Sequence, residues 1–425
     1  MSIAPAADKA ATNYVVGGGL AGLSAAVSLA AKGRKVVLLE GAPQAGGRCR
    51  SYFDATLGCI IDNGNHLVLS GNSSVQSYLK TIGAEHGLVG PDRAVFDFAD
   101  VRTDKRWTLR PNDGPLAWWI FAEGRRVPDT GPADYLALVK LLLAGADACI
   151  EDVIPCHGPL WERLLQPFLL AVLNSEPRTA SAKLAGAVIA ESLARGGRAY
   201  RPRIAHPTLA SAFVDPALKY LAAHGAEVRI GQRVRALTMD GDRVGGLDLA
   251  GTPVAVGKDD TVILAVPPWV ATELLPGLTA PVEFRSIVNA HFKVVPPAAA
   301  PRITGVIGGA AEWVFAFDDR VSITVSGADA IVDDDREVLA RRFWADVAKV
   351  LHMPDDLPPW QVVKERRATF AATPEQAARR PGPVTRWRNL LLAGDWTATG
   401  LPATIEGAVR SGQNAAALAL ARSAV

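Results

Sequence analysis

The sequence predicts an α/β protein in which a parallel-sheet nucleotide-binding domain is interleaved with a second domain of α+β type. Three observations carry this reading. A glycine-rich turn joins a strand to a helix near residue 17, a second strand ends in an acid at Glu40, and a buried strand, a turn and a helix close the chain after Asn389. The length of 425 residues fits two cores, because single cores stop growing near about 250–300 residues.

Asn13 to Val16 is a short β-type run, and Gly17-x-Gly19-x-x-Gly22 follows it directly. Leu20, Leu23, Ala26, Val27 and Ala30 then recur at helical spacing until Lys32-Gly33 supplies a stop. Arg34 to Leu39 is an apolar run of the kind buried in a parallel sheet, and Glu40 ends it. In such a Rossmann-like unit Gly17 lets the chain turn tightly, Gly19 lets the backbone approach a pyrophosphate, and Gly22 lets helix pack on strand. The N–H groups of Leu20 and Ala21 lie at the positive end of the helix, where phosphate binds. Glu40, followed by Gly41, accepts hydrogen bonds from the ribose of an adenosine.

Nicotinamide and flavin dinucleotides share that fingerprint, so the choice rests on other segments. Gly46-Gly47-Arg48 offers a second close backbone approach, with an arginine to bond phosphate. At the far end, Leu390 to Ala393 reads as a buried strand that breaks at Gly394-Asp395. Asp395 suits the sugar-alcohol chain of a flavin. A helix opening around Thr404, Ile405 and Ala408 turns N–H groups toward the electron-rich pyrimidine edge. A long cofactor folded between both chain ends is FAD.

The middle of the chain agrees. PTLASAFVDPALKYLAAHG is a helix with an internal Asp-Pro, AEVRIGQRVRALTMDGDRVGGLDL reads as short strands joined by turns, and DDTVILAVPP is a further buried strand. Val234 then meets the adenine through its backbone. The FAD-binding domain is expected over residues 10–90, 206–285 and 385–425, and the substrate domain over 91–205 and 286–384.

A net charge of +2 argues against a nucleic-acid partner. Cys49, Cys59, Cys149 and Cys156 form no CxxC pair and read as thiols in a reducing compartment. No metal-ligand pattern is present. The opening MSIAPAADKAATN has no leader pattern. YLALVKLLLAGADACI is interrupted by Lys140 and Asp147, and LLQPFLLAVLN is too short to span. A cytoplasmic protein is expected, with peripheral contact to the inner face of the membrane. The four arginines of ARGGRAYRPR, Ala194 to Arg203, are read either as a solvated loop or as a basic lip on anionic lipid.

The Gly17-x-Gly19-x-x-Gly22, Glu40, Gly46-Gly47-Arg48 and Gly394-Asp395 set resembles the flavin amine oxidase/phytoene desaturase-type oxidoreductases. IDNGNHLVLSG (Ile61 to Gly71), LLQPFLLAVLNSEP, FVDPALKYLAAHGAEVRIG, RRATFAATPEQ and AGDWTATGLPATIEGAVRSG narrow the resemblance. They are similar to the squalene-associated FAD-dependent desaturases, the hydroxysqualene dehydroxylases of bacterial hopanoid synthesis. Asn65 departs from that pattern, which more often has glutamine there. The resemblance implies reductive removal of an allylic hydroxyl from hydroxysqualene, with reduced FAD giving hydride to the carbon that loses water.

Such chemistry needs an acid and a dry, apolar tunnel. Trp107, Trp118, Trp119, Phe121, Trp161 and Phe168, among many leucines, are expected to build that tunnel or a second core. The candidate acids are His66 and Asp62, which the resemblance places beside the flavin, and Glu406 in the C-terminal cofactor segment. His66 would protonate a hydroxyl near neutral pH. The competing readings are a carotenoid-type desaturase, an amine oxidase, and a flavin-free prenyl-lipid carrier on the same fold. No second GxGxxG is present for a nicotinamide, so the sequence does not identify the electron donor.

Overall fold

The computed structural model describes residues 11–422. The N-terminal stretch read above as lacking a leader therefore lies mostly outside the described residues, as do the last three positions.

Strand β1 (Thr12–Val16), helix α1 (Leu20–Ala30) and strand β2 (Lys35–Glu40) form where the local pattern predicts them. Both strands enter a five-stranded parallel sheet. Its order is Glu227–Ile230, β2, β1, Thr261–Leu264, Leu390–Leu392. Thr261–Leu264 and Leu390–Leu392 are buried along their whole length, which explains their uninterrupted apolar sequence. A strand from the start of the chain thus lies two positions from a strand near its end, with only Thr261–Leu264 between them.

The two termini also meet through helices. Ile405–Arg422 packs on α1, and a Cβ at Gly412 would stand 2.1 Å from the Ala21 carbonyl oxygen. Ser24 Oγ donates to the Val409 carbonyl at 2.9 Å. Small residues let these helices approach closely enough to bury both.

Proline explains two irregular helices. Pro216 lies in the first turn of Asp215–Ala223, after a widened turn at Ala210–Val214. Gln166–Leu173, with Pro167 in its first turn, follows the same kind of turn at Trp161–Leu165. A proline there withdraws no needed N–H.

A second sheet of seven strands stands apart from the first in its pattern. Its order is Trp360–Phe370, Phe284–Phe292, Val321–Val325, Trp313–Ala316, Ile303–Ile307, Phe96–Asp100, Lys105–Leu109. All neighbours are antiparallel except Ile303–Ile307 with Phe96–Asp100. Helix Arg336–Leu351, capped by Asp335 Oδ1 on the Glu337 and Val338 N–H groups, covers one face. The fold is the interleaved α/β and α+β arrangement that the sequence predicts.

The aromatic expectation needs correction. Trp107, Trp119 and Trp161 are buried, but Trp118 and Phe121 are 66% and 64% exposed. Neither lines an interior. Among the described residues no helix is long and apolar enough to cross a membrane.

Candidate cofactor site

The glycine turn has the space that its spacing predicts. Gly17 has φ +108°, and a Cβ there would meet the Ala265 carbonyl oxygen at 2.3 Å. A Cβ on Gly22 would stand 1.8 Å from the Gly17 carbonyl oxygen, so only glycine lets α1 begin this close to β1. A Cβ on Gly19 would meet nothing within 4 Å. The N-terminus of α1, at Leu20 and Ala21, carries no side-chain cap and no acid in its first turn. Open space at a glycine beside uncapped N–H groups fits a pyrophosphate.

Glu40 lies at the tip of β2, half-buried. One oxygen accepts from the Gly18 N–H and the other from the Ala42 N–H, each at 2.6 Å. These bonds fix the carboxylate against the turn. Gly41 packs on Arg233, whose Cβ is 3.2 Å from where a Gly41 Cβ would be. Val234 follows, 6% exposed, just beyond Gln232, whose N–H donates to the Glu40 carbonyl at 2.7 Å.

The second glycine pair lies on the first. Gly46 N–H donates to the Gly18 carbonyl at 2.8 Å, and a Cβ on Gly47 would reach the Gly19 Cα at 3.3 Å. Arg48 then spans to the other chain end. Its Nη2 donates to both Asp395 oxygens at 2.7 Å, and Nη1 donates to the Ala368 carbonyl. Burial works against the Arg48 charge, but Asp395 prevails and holds its pKa above the ordinary value. The arginine expected to bond phosphate and the acid expected to bond the sugar chain are therefore partners of each other.

Behind Asp395, the turn is pinned by a residue that sequence reasoning missed. Arg380 Nη2 donates to the Asp395 carbonyl at 3.0 Å and to Thr399 Oγ1 at 2.9 Å. Burial lowers its pKa to about 10. Gly394 N–H donates to Ser411 Oγ at 2.8 Å, tying the turn to the C-terminal helix. Thr404 Oγ1 accepts the Gly407 N–H at 3.0 Å, while Ile405 is buried and Ala408 half-buried on the same first turns.

The loop from Asp62 to His66 runs from this clasp to the seven-stranded sheet. Asp62 Oδ1 accepts from Ser51 Oγ and from the Leu209 N–H, and Oδ2 is 3.8 Å from Arg320. Burial raises its carboxyl pKa. Glu406 is 3% exposed, and its oxygens accept the Ser74 and Val75 N–H groups at 3.0 Å and pair with Arg410. It caps helix Ser73–Thr81. Both acids are hydrogen-bonded to protein partners.

His66 differs. It is half-buried, and its ring has no hydrogen-bond partner among the described residues. Desolvation, then the neighbouring Arg48 charge, lowers its pKa to about 4. At neutral pH the imidazole is therefore uncharged.

The sheet presents a polar face to this loop that the sequence reading did not assign. His291 Nε2 donates to the Asp62 carbonyl at 3.0 Å, so Nδ1 accepts from Ser322 Oγ at 2.7 Å. Thr324 Oγ1 donates to Asn289 Oδ1 at 2.7 Å, and Asn65 Nδ2 donates to the Ile323 carbonyl at 3.2 Å. Asn65 Oδ1 is buried without a partner. The alternation Ser322, Thr324, Ser326 in VSITVS was the available signal.

Residues 20–420 match the family described as flavin containing amine oxidoreductase. A hydroxysqualene dehydroxylase of Rhodopseudomonas palustris is 56% identical over 96% of this chain and 98% of its own length. One from Zymomonas mobilis is 50% identical over 96% and 99%. A cyclohexylamine oxidase from Brevibacterium oxydans shares the fold, with TM-score 0.72, 14% identity and coverage of 97% and 99%. The chain belongs to the flavin containing amine oxidoreductases and, within them, to the hydroxysqualene dehydroxylase family.

Proposed function

From that membership we propose that the protein replaces the allylic hydroxyl of hydroxysqualene by hydrogen, giving squalene and water, with FAD as cofactor. One observation carries the reading. Arg48 and Asp395, 347 residues apart, meet at 2.7 Å over a glycine turn shaped for a dinucleotide. FAD, when bound and reduced, supplies the hydride.

We assign the adenosine ribose to Glu40, the pyrophosphate to Gly17, Gly19, Leu20, Ala21, Gly22 and Gly47, and the adenine edge to Gly41 and Val234. Arg48, Gly394 and Asp395 shape the middle of the cofactor, and Thr404, Ile405 and Ala408 its ring end. We likewise assign residues 10–90, 206–285 and 385–425 to the FAD-binding domain and 91–205 and 286–384 to the substrate domain.

His66 is the group beside the clasp with an uncommitted ring. As neutral imidazole it would give its N–H proton to the departing hydroxyl, which leaves as water, and would take up a replacement proton at its other nitrogen. Asp62 and Glu406 act at one remove, by fixing the loop and the C-terminal helix. The buried apolar side chains around Trp161 exclude water, which would trap an allylic cation. The isoprenoid reaches the site from a membrane surface, to which the protein is bound peripherally on the cytoplasmic side.

A carotenoid-type desaturase is less favoured. The zeta-carotene desaturase relative is 24% identical over 52% of this chain. The amine oxidases share 14–17% identity, which speaks for fold alone. A flavin-free prenyl carrier would not need Glu40, Arg48 and Asp395 together. The test is a substrate panel under anaerobic, reducing conditions. Squalene formed from hydroxysqualene supports the proposal, and turnover of carotenes or amines with no squalene refutes it.

A further inference from the structure

Leu116, Trp118, Phe121, Leu136 and Leu143 are 65%, 66%, 64%, 60% and 82% exposed and lie outside the site described above. Exposed apolar groups gathered on one face mark an interaction surface. These are gathered. The Trp118 and Phe121 rings lie 6.2 Å apart. Beneath them buried Trp119 meets buried Tyr135 edge-on at 5.3 Å, one residue before Leu136. Asn112 braces the loop, since its Nδ2 donates to the Gly114 and Leu116 carbonyls and its Oδ1 accepts the Trp119 N–H.

The arginine-rich segment docks on this same loop. Gly197 N–H donates to the Asn112 carbonyl at 2.9 Å, and Arg198 N–H to the Asp113 carbonyl at 3.3 Å. Arg110, Arg125, Lys140, Arg195 and Arg198 are all exposed. Residues 110–143 and 194–203 hold eight Lys and Arg against four Asp and Glu, in a chain whose net charge is only +2. Aromatic and aliphatic tips among cations suit a headgroup–acyl boundary. A second copy of the chain would set those cations against one another.

We propose that this face seats on an anionic phospholipid surface, the phase in which the isoprenoid substrate is dissolved. The proposal rests on the reading above for its substrate. Beneath the face, Trp119 and Tyr135 belong to the same buried apolar cluster as Trp161, Phe370 and Trp396, the residue next to Asp395.

The holoprotein is sedimented with phosphatidylcholine vesicles, with and without phosphatidylglycerol. Wild type is expected to bind the anionic vesicles and to be released by salt. Leu116→Ser/Trp118→Ser/Leu143→Ser should lower that binding about tenfold or more at unchanged FAD content and thermal midpoint. Arg195→Glu/Arg198→Glu, away from the apolar tips, should remove the preference for phosphatidylglycerol. Equal vesicle binding by wild type and both variants overturns the proposal. So does a wild type that ignores vesicles and instead dimerises through this face in ultracentrifugation. Vesicle binding lost in the variants, with no squalene formed from micellar substrate by any of the proteins, upholds the surface and sinks only the dehydroxylase reading.

Discussion

Replacing Glu40 by Gln separates charge from shape at the ribose end of the site. The carboxylate accepts the Gly18 and Ala42 N–H groups at 2.6 Å, one on each oxygen. Glutamine keeps one acceptor and turns an amide donor toward the other N–H. A hydrogen bond to a charged acceptor contributes roughly 1.5–3 kcal/mol. Losing one such bond, and weakening the acceptor offered to ribose, costs FAD binding about 2–3 kcal/mol. That corresponds to a Kd raised roughly 30- to 150-fold. Equilibrium dialysis of apoprotein against FAD, read by flavin fluorescence, measures it, and circular dichroism checks that the fold persists. A Glu40→Gln protein that binds FAD within about twofold of wild type refutes the reasoning.

Gly22→Ala places a Cβ 1.8 Å from the Gly17 carbonyl oxygen, so the purified protein should lack flavin absorbance; a fully yellow variant contradicts this. His66→Ala should slow squalene formation while FAD stays bound, and wild-type turnover would remove His66 from the mechanism. Glu406→Gln should lower stability by about 2–4 kcal/mol by weakening the cap on Ser73–Thr81 and the Arg410 pair, visible in the thermal midpoint. His291 has its pKa lowered from 6.5 to about 4, mainly by burial. The unfolded chain therefore takes up that proton first. The resulting penalty is absent above pH 6.5 and grows as pH falls, reaching about 3 kcal/mol near pH 4. His291→Gln should remove close to one proton of uptake on unfolding in that window; an unchanged pH slope contradicts the assignment.

The first strand, turn and helix were legible because their determinants are local. A strand, three spaced glycines and a helix stop lie within about thirty residues, and each acts through its own backbone. The Arg48–Asp395 pair was legible only by halves. Each residue reads as a cofactor contact in its own segment, and nothing near either one shows that they meet. The partners of Asp62 and Glu406 were hidden for the same reason. Leu209 and Ser74 stand 147 and 332 residues away, so two hydrogen-bonded acids look free in the sequence. The polar sheet face at Asn289, His291, Ser322 and Thr324 was written in a period-2 pattern that any half-buried strand shares. Trp118 and Phe121 look like core residues by type, and only their neighbours show that they point outward.

The account stands or falls on a cofactor held by both ends of the chain and spent on one carbon–oxygen bond. An anaerobic single turnover tests this directly, with the protein-bound flavin reduced beforehand and no other reductant present. One squalene should form for each flavin oxidised. Flavin that stays reduced in the presence of hydroxysqualene, or squalene that forms without flavin oxidation, contradicts it.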